Sequence, residues 1–149
     1  MKTIMAFGTF DIFHPGHENY LVQAKKLGEY LIVVVARDKT VLEVKKQQAK
    51  NGEQDRLETV KNSGLADEII LGSLKDRYAV IEKYRPDVIA LGYDQKVDLS
   101  ELEKKLQEFK LETKIVRLEA FKSEIYKSSK LKDGKSEKNF GIYPPYRTP

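Results

Sequence analysis

The chain has 149 residues, of which 40% are hydrophobic and 34% are charged, with a formal net charge of +4 and no cysteine. This length predicts one domain with a single buried core, and the lack of cysteine excludes disulfides, cysteine-held zinc sites and thiol nucleophiles. Lysines alternate with glutamates along most of the chain, which is typical of solvated helix faces, so we expect no nucleic-acid partner. A polyanionic small molecule fits the charge equally well.

Apolar, β-favouring runs alternate along the chain with segments of helical periodicity. The runs lie at residues 4–7, 31–36, 68–71, 88–91 and 113–118. The second run, Leu-Ile-Val-Val-Val-Ala, has no polar alternation, as is typical of a central parallel strand that is buried on both faces. This order predicts an α/β fold: a Rossmann-like, doubly wound parallel five-stranded sheet with helices on both faces.

Helices are predicted between these strands, the first over about residues 18–27 and the last over residues 99–109. Three capping signals, each a cap residue three positions before an acid, are Thr40 with Glu43, Ser73 with Asp76, and Asp98 with Glu101. Gly28 is interpreted as the stop of the first helix. In the last helix, apolar residues at spacings of three and four predict one stripe that packs on the sheet.

The C-terminal residues differ in composition from the rest of the chain. From residue 132 onward Lys, Asp, Gly, Ser, Asn and Pro dominate, so we predict a domain over residues 1–131 and an extended or disordered tail over residues 132–149. The apolar run at residues 31–36 is too short to cross a bilayer, and the N-terminus lacks the pattern of a signal peptide. We therefore expect a cytoplasmic protein without a membrane partner.

The most informative segment follows the first predicted strand. Residues 8–11, Gly-Thr-Phe-Asp, lead to residues 14–17, His-Pro-Gly-His, at the start of the first helix. The free N–H groups and the dipole of a helix N-terminus attract phosphate, and Pro15 suits a first helical turn. The two histidines of the chain are three positions apart, so they lie on one helix face and can reach the same anion. The segment therefore predicts a phosphate site.

Residues 8–17, Gly-Thr-Phe-Asp-Ile-Phe-His-Pro-Gly-His, resemble the HxGH signature of the cytidylyltransferase-like nucleotidyltransferase superfamily. The resemblance covers about residues 3–131. It implies an enzyme that transfers a nucleoside monophosphate from a nucleoside triphosphate to a small phosphorylated acceptor, with release of pyrophosphate, and it implies a homodimer. Positioning and electrostatic stabilisation carry most of such a transfer, and a divalent metal, by preference Mg²⁺, assists it without a fixed set of protein ligands.

The resemblance also implies the residues of the site. The catalytic residues are then His14, His17 and Lys45. The nucleotide-binding residues are Gly8, Thr9, Phe10, His14, His17, Gly92, Asp94, Gln95, Ser128 and Ser129. The residues that bind the acceptor or phosphate are Asp11, Lys46, Arg56 and Lys122.

Structural alternatives remain open for several of these residues. Lys45 and Lys46 also suit an ordinary solvated helix, Glu53 and Arg56 a surface ion pair, and Asp11 a capping role. The segment at residues 46–52 differs from many relatives, which carry a proline and apolar residues there.

Two subfamilies compete for the substrate assignment. The segments at residues 31–38, 71–75 and 91–95 most resemble archaeal-type FAD synthases, which transfer the adenylyl group of ATP to FMN. Glycerol-3-phosphate cytidylyltransferases, which use CTP, share the histidine motif and the length. The cysteines near the C-terminus of some such FAD synthases are missing here. Activation of a phosphosugar and a non-catalytic nucleotide sensor are the remaining alternatives.

Overall fold

The structure is a computed structural model that describes residues 1–120. Its strands are β1 (Thr3–Gly8), β2 (Tyr30–Val35), β3 (Glu68–Leu71), β4 (Val88–Leu91) and β5 (Lys114–Arg117). Its helices are α1 (Pro15–Lys25), α2 (Asp38–Lys45), α3 (Glu53–Ser63), α4 (Ala79–Tyr84) and α5 (Leu99–Glu108). Each of the five predicted strands is present, with bounds that lie within one residue of those expected.

The five strands form one parallel sheet in the order β3-β2-β1-β4-β5. The chain builds outward from β1 to β3 and then returns to add β4 and β5 on the other side, so the strand order reverses between β1 and β4. Ligands of doubly wound folds bind outside the carboxyl ends of the strands at such a reversal. The predicted Rossmann-like fold is confirmed, and the segments that follow β1 and β4 meet at this point.

Helices cover both faces of the sheet, as predicted. Leu31, Val33 and Val35 of β2 belong to a buried cluster with side chains of α1 and α3. Ile32 and Val34 belong to a second cluster with side chains of α4 and α5. Successive residues of a strand point to opposite faces, so β2 is apolar throughout because both of its faces are covered.

Two of the three predicted helix caps are wrong. Helix α2 begins at Asp38, whose backbone N–H donates to Glu53 Oε1 at 2.8 Å, and Thr40 lies inside the helix. Ser73 Oγ accepts the Asp76 N–H at 3.4 Å within a turn, and α4 begins further along the chain. At α2 a residue of another helix, Glu53, accepts the first N–H, whereas Ser73 caps only a turn that precedes α4.

The third cap is confirmed. The Asp98 carboxylate accepts the backbone N–H of Glu101 at 3.0 Å at the start of α5. Leu102 and Leu106 are buried against the sheet, as the apolar stripe predicts, whereas Leu99 is 43% exposed. The stripe is therefore shorter than expected at its N-terminal end.

The first helix differs from its predicted bounds at both ends. It begins three residues early, at Pro15, and ends at Lys25, so Gly28 lies beyond the helix and is not its cap. A Cβ atom at Gly28 would lie 2.5 Å from Ile4 Cδ1 and 2.7 Å from the Lys2 carbonyl oxygen. Glycine is needed here because the chain passes close to the start of β1.

Some predictions fall outside the described residues. These are the domain boundary at residue 131, the tail over residues 132–149, and the roles of Lys122, Ser128 and Ser129. Within residues 1–120, no helix has the length and apolar character needed to span a membrane.

Candidate active site

A cleft of about 850 Å³ opens at the reversal between β1 and β4. The predicted site residues that line it are Gly8, Thr9, Phe10, Asp11, His14, His17, Lys45, Gly92, Asp94 and Gln95. The sheet brings together four segments that are distant in sequence: the turn after β1, the first turn of α1, the end of α2 and the turn after β4. A cleft of this size and position is typical of a small-ligand site in this type of fold.

His14 and His17 form a stacked pair at the N-terminus of α1, with ring centroids 3.9 Å apart. His14 Nδ1 accepts the N–H of Gly16 at 3.0 Å, and the backbone N–H of His14 donates to His17 Nδ1 at 3.3 Å. Because each Nδ1 accepts a hydrogen bond, each neutral imidazole carries its proton on Nε2. His14 is therefore the cap of the helix. The rings of His14 and His17 both line the cleft, and each has an N–H group that can donate to a ligand.

Two aromatic rings support His17. Its ring lies 5.2 Å from that of Phe10 in an edge-on arrangement and 5.6 Å from that of Phe13, measured between centroids. The pKa of His17 is lowered from 6.5 to about 4. Burial is the main cause, and the neighbouring His14 and Lys45 contribute to the same shift. At neutral pH the imidazole is therefore uncharged and is a hydrogen-bond donor without being a cation.

The pKa of His17 gives the stability of the protein a dependence on pH. Between pH 6.5 and about 4 the unfolded chain binds a proton at His17 that the folded chain does not, so the free energy of unfolding falls as the pH falls through this window. We expect urea unfolding at neutral pH and at about pH 5 to show a smaller loss of stability in His17→Asn than in the wild type. All other titrating groups are common to both proteins, so parallel losses would contradict this origin.

Phe10 packs under the turn after β1 and limits which residues fit there. Its backbone has a φ of 55° and its ring is buried, with 2% of the residue exposed. A Cβ atom at Gly8 would lie 2.7 Å from two carbons of this ring, so a side chain at position 8 would displace it. Phe10 thus supports His17, and its buried ring is not available to stack on a nucleotide.

Asp11 fastens a second loop to this turn. Its carboxylate accepts the backbone N–H groups of Lys50 and Asn51, each at 2.8 Å, and the Asn51 amide donates to the Asp11 carbonyl oxygen. The hydrogen bond from Lys50 is the main cause that lowers the pKa of Asp11. Both carboxylate oxygens are therefore in use, which favours the capping alternative over the predicted contact with an acceptor. The same contacts bring Lys50 to the cleft wall.

The structure corrects the predicted role of Arg56. This residue is 1% exposed and does not line the cleft, because its guanidinium is surrounded by other groups of the protein. It donates to the carbonyl oxygens of Asn51 (2.9 Å), Thr9 (2.9 Å) and Ala36 (2.8 Å) and to Asp38 Oδ1 (2.7 Å). Arg56 therefore holds the turns after β1 and β2 together and is not placed to bind phosphate.

The two predicted lysines of α2 differ in position. Lys45, at the end of the helix, is exposed and lines the cleft. Lys46 follows it with a φ of 60° and does not line the cleft, so its predicted contact with the acceptor is not supported. A change of backbone conformation between adjacent residues separates two side chains that look equivalent in sequence.

Several cleft residues were missed by the sequence analysis. Besides Lys50, the basic side chains of Arg37 and Arg77 line the cleft, together with Ser73 and Tyr93. Arg37 is fixed, because its Nε donates to the Gly72 carbonyl oxygen at 2.8 Å. Their position in the sequence could have identified two of them. Arg37 and Ser73 lie two residues after the ends of β2 and β3, at the edge of the sheet where ligands bind.

Among residues 1–120, no group of three or more His, Cys, Asp or Glu side chains is arranged to hold a metal ion. Asp11 uses its oxygens on backbone amides, whereas Asp94 lines the cleft as an exposed carboxylate.

A helix N-terminus with two histidine donors, at the strand reversal of a doubly wound sheet and surrounded by basic side chains, defines a site for a phosphorylated ligand. The model of the cytidylyltransferase-like family matches residues 5–134. The chain belongs to this family, which confirms the predicted superfamily and the class of nucleotidyltransferases.

Relatives in this family include proteins named FAD synthase. The one from Picrophilus torridus is 45% identical over 129 residues, which cover 87% of this chain and 92% of that protein. The one from Methanohalophilus mahii is 48% identical over 118 residues, which cover 79% and 82% of the two chains.

Solved structures agree on the fold. A Thermoplasma volcanium protein described as a lipopolysaccharide core biosynthesis protein superposes with a TM-score of 0.77 and 40% identity, over 81% of this chain and 98% of that one. A pantoate-beta-alanine ligase from Francisella tularensis shares the fold alone, with a TM-score of 0.57 and 15% identity, over 78% of this chain and 58% of that one.

Proposed function

We propose that this chain is an FAD synthase, which transfers the adenylyl group of ATP to the phosphate of FMN and releases pyrophosphate. The observation that carries the proposal is the stacked pair of histidines at the N-terminus of α1, in a chain with relatives named FAD synthase that are 43–48% identical to it. A phosphate monoester is largely ionised near neutral pH, so FMN brings its own nucleophile and no protein base is needed.

In the proposed reaction, an oxygen of the FMN phosphate attacks the α-phosphorus of ATP, and the bond from that phosphorus to pyrophosphate breaks in line. The Nε2–H groups of His14 and His17 donate to the oxygens on which negative charge grows. Lys45 and Lys50, which both line the cleft, offset the charge of the departing pyrophosphate. Ser128, Ser129 and Lys122 keep their predicted roles on the phosphates.

We also propose that a divalent cation, most simply Mg²⁺, binds together with the triphosphate. Mg²⁺ is commonly held by substrate phosphates, waters and one or two carboxylates, so a three-ligand protein cluster is not required. Asp94 fits as the carboxylate, because it is exposed on the cleft wall in the turn after β4. Bound there, the cation would neutralise phosphate charge. We also propose a cytoplasmic homodimer, as the resemblance to the family implies, and sedimentation in solution tests that oligomeric state.

A matrix of substrates tests the proposed function. The purified chain is incubated with Mg²⁺ and either ATP or CTP, together with either FMN or glycerol 3-phosphate, and the products are separated by chromatography. We expect FAD and pyrophosphate from ATP with FMN and little product elsewhere. Cytidylylated glycerol phosphate would replace the proposal with the second subfamily, and tight nucleotide binding without any product would support a sensor.

A further inference from the structure

The strands β1 and β4 separate just below the cleft. Their pairing runs from Ile4 with Val88 to Ala6 with Ala90, and no further pairs continue it toward the carboxyl ends. Beyond the last pair, the N–H and carbonyl of Phe7 and the carbonyl of Ala90 hydrogen-bond to side chains. These side chains matter because a buried backbone group left without a hydrogen bond is costly.

Tyr20 of α1 supplies two of these partners. Its hydroxyl accepts the Phe7 N–H at 3.1 Å and donates to the Ala90 carbonyl oxygen at 2.7 Å. Burial of the hydroxyl raises the pKa of Tyr20, so the hydroxyl keeps its proton. One side chain thus bridges both strands where they part, and it comes from the helix that begins with the histidine pair, three residues after His17.

Gln95 supplies the remaining partner from the turn after β4. Its Nε2 donates to the Phe7 carbonyl oxygen at 2.7 Å, and its Oε1 accepts the Gly92 N–H at 2.8 Å. Its Oε1 is also 3.4 Å from the Tyr20 hydroxyl. From the other side, Arg117 Nη1 donates to the carbonyl oxygens of Gly92 and Gln95, at 2.8 and 2.6 Å. The turn at residues 92–95 is therefore held on both sides.

These contacts change the interpretation of Gln95. The resemblance implied that Gln95 binds the nucleotide, whereas both polar atoms of its side-chain amide are hydrogen-bonded to the backbone. Tyr93 and Asp94 line the cleft beside Gln95. With its amide in these hydrogen bonds, Gln95 acts on a nucleotide through the place and shape of this turn.

We propose that Tyr20 and Gln95 act together as positioning residues, which fix the turn at residues 92–95 against the histidine-bearing helix α1. This inference rests on the proposed function, because it assigns the turn to the nucleoside of ATP and the helix to its α-phosphate. The two side chains set the distance between these two parts of the site. FMN, which lies on the other side of the α-phosphate, is not positioned by them.

The test compares Tyr20→Phe with Tyr30→Phe. Tyr30 is the control because its hydroxyl is likewise hydrogen-bonded, to Glu68 Oε1 at 2.8 Å, but it lies at the start of β2, at the opposite end of the sheet from the cleft. Removing the Tyr20 hydroxyl should lower kcat/KM for ATP about ten- to a hundredfold, as expected for a misplaced substrate, while KM for FMN changes less than about twofold. Tyr30→Phe should leave both constants unchanged.

Gln95→Met is the second variant, because it keeps the side-chain volume and removes both hydrogen bonds. It should show the same selective effect on ATP. The kcat/KM for ATP of the double variant should be about that of the more impaired single variant, since the effects of residues that act as one unit do not add. Losses that multiply in the double variant, or equal losses for ATP and FMN, would overturn the proposal.

Equilibrium binding separates this inference from the proposed function. If the wild-type chain forms no FAD, the proposed function fails, and calorimetric titration with ATP and Mg²⁺ still tests the positioning role. Weaker ATP binding by Tyr20→Phe than by Tyr30→Phe, with both variants folded by circular dichroism, supports the inference. Equal affinities of both variants, or no ATP binding by the wild type, would overturn it.

Discussion

Replacing His17 with alanine is expected to lower kcat for adenylyl transfer by about 10²–10³-fold, the usual loss when one donor to a developing oxyanion is removed. The reason is geometric: the ring of His17 is held at the cleft wall by the hydrogen bond at its Nδ1 and by the rings of Phe10 and Phe13. Steady-state FAD formation measures the effect. The free energy of unfolding at neutral pH should change by about 1 kcal/mol, which is typical of a substitution at a partly exposed position.

His17→Gln is the matched variant for this prediction. Its amide carries an N–H at roughly the position of Nε2, so it should recover part of the lost rate, whereas alanine cannot. His14→Ala should also reduce kcat, but with a larger loss of stability, because His14 is the cap of α1. A His17→Ala protein with nearly wild-type kcat would show that the histidine pair is a helix cap and not a catalytic group.

Replacing Arg56 with alanine is expected to lower the free energy of unfolding by about 2–4 kcal/mol. The substitution leaves the carbonyl oxygens of Thr9, Ala36 and Asn51 without the donor they share, and it removes the partner of Asp38. The ion pair adds less than a fully buried one would, because the Asp38 side chain is 54% exposed. Urea unfolding at neutral pH measures the loss.

Lysine should not rescue position 56. A guanidinium donates in several fixed directions at once from three nitrogens, whereas an ammonium has one nitrogen and cannot reach the same set of acceptors. Arg85→Ala is the control, since Arg85 is exposed and makes only long contacts of 3.3 and 3.5 Å to the carbonyl oxygens of Phe109 and Lys110. A loss for Arg56→Ala no greater than for Arg85→Ala would contradict the bracing role.

The fold was predictable because its signals are local. A parallel strand that is buried on both faces must be a short apolar run, so β2 and β4 could be located from residue types alone. Helix starts were less predictable, because the donor or acceptor that satisfies a helix end can come from anywhere in the fold. The cap of α2 comes from Glu53, which belongs to the next helix, and no local pattern around Thr40 contains that information.

The site was predictable where its chemistry lies in one short segment. His14 and His17 share a helix turn, and their spacing alone places them on one face. The side-chain roles of Arg56 and Gln95 were harder to predict for the opposite reason. The same donors that bind a phosphate or a base also bind backbone carbonyls, and only the tertiary structure shows that carbonyls of Thr9 and Phe7 already occupy them.

The central claim is that the histidine pair receives the α-phosphate of ATP and that the phosphate of FMN attacks it. Incubation of the chain with FMN, Mg²⁺ and ATP that is radioactive only in its α-phosphate tests this most directly. The account predicts that the label appears in FAD, with one unlabelled pyrophosphate released for each FAD formed. Label recovered in AMP or ADP, with FMN unchanged, would contradict it.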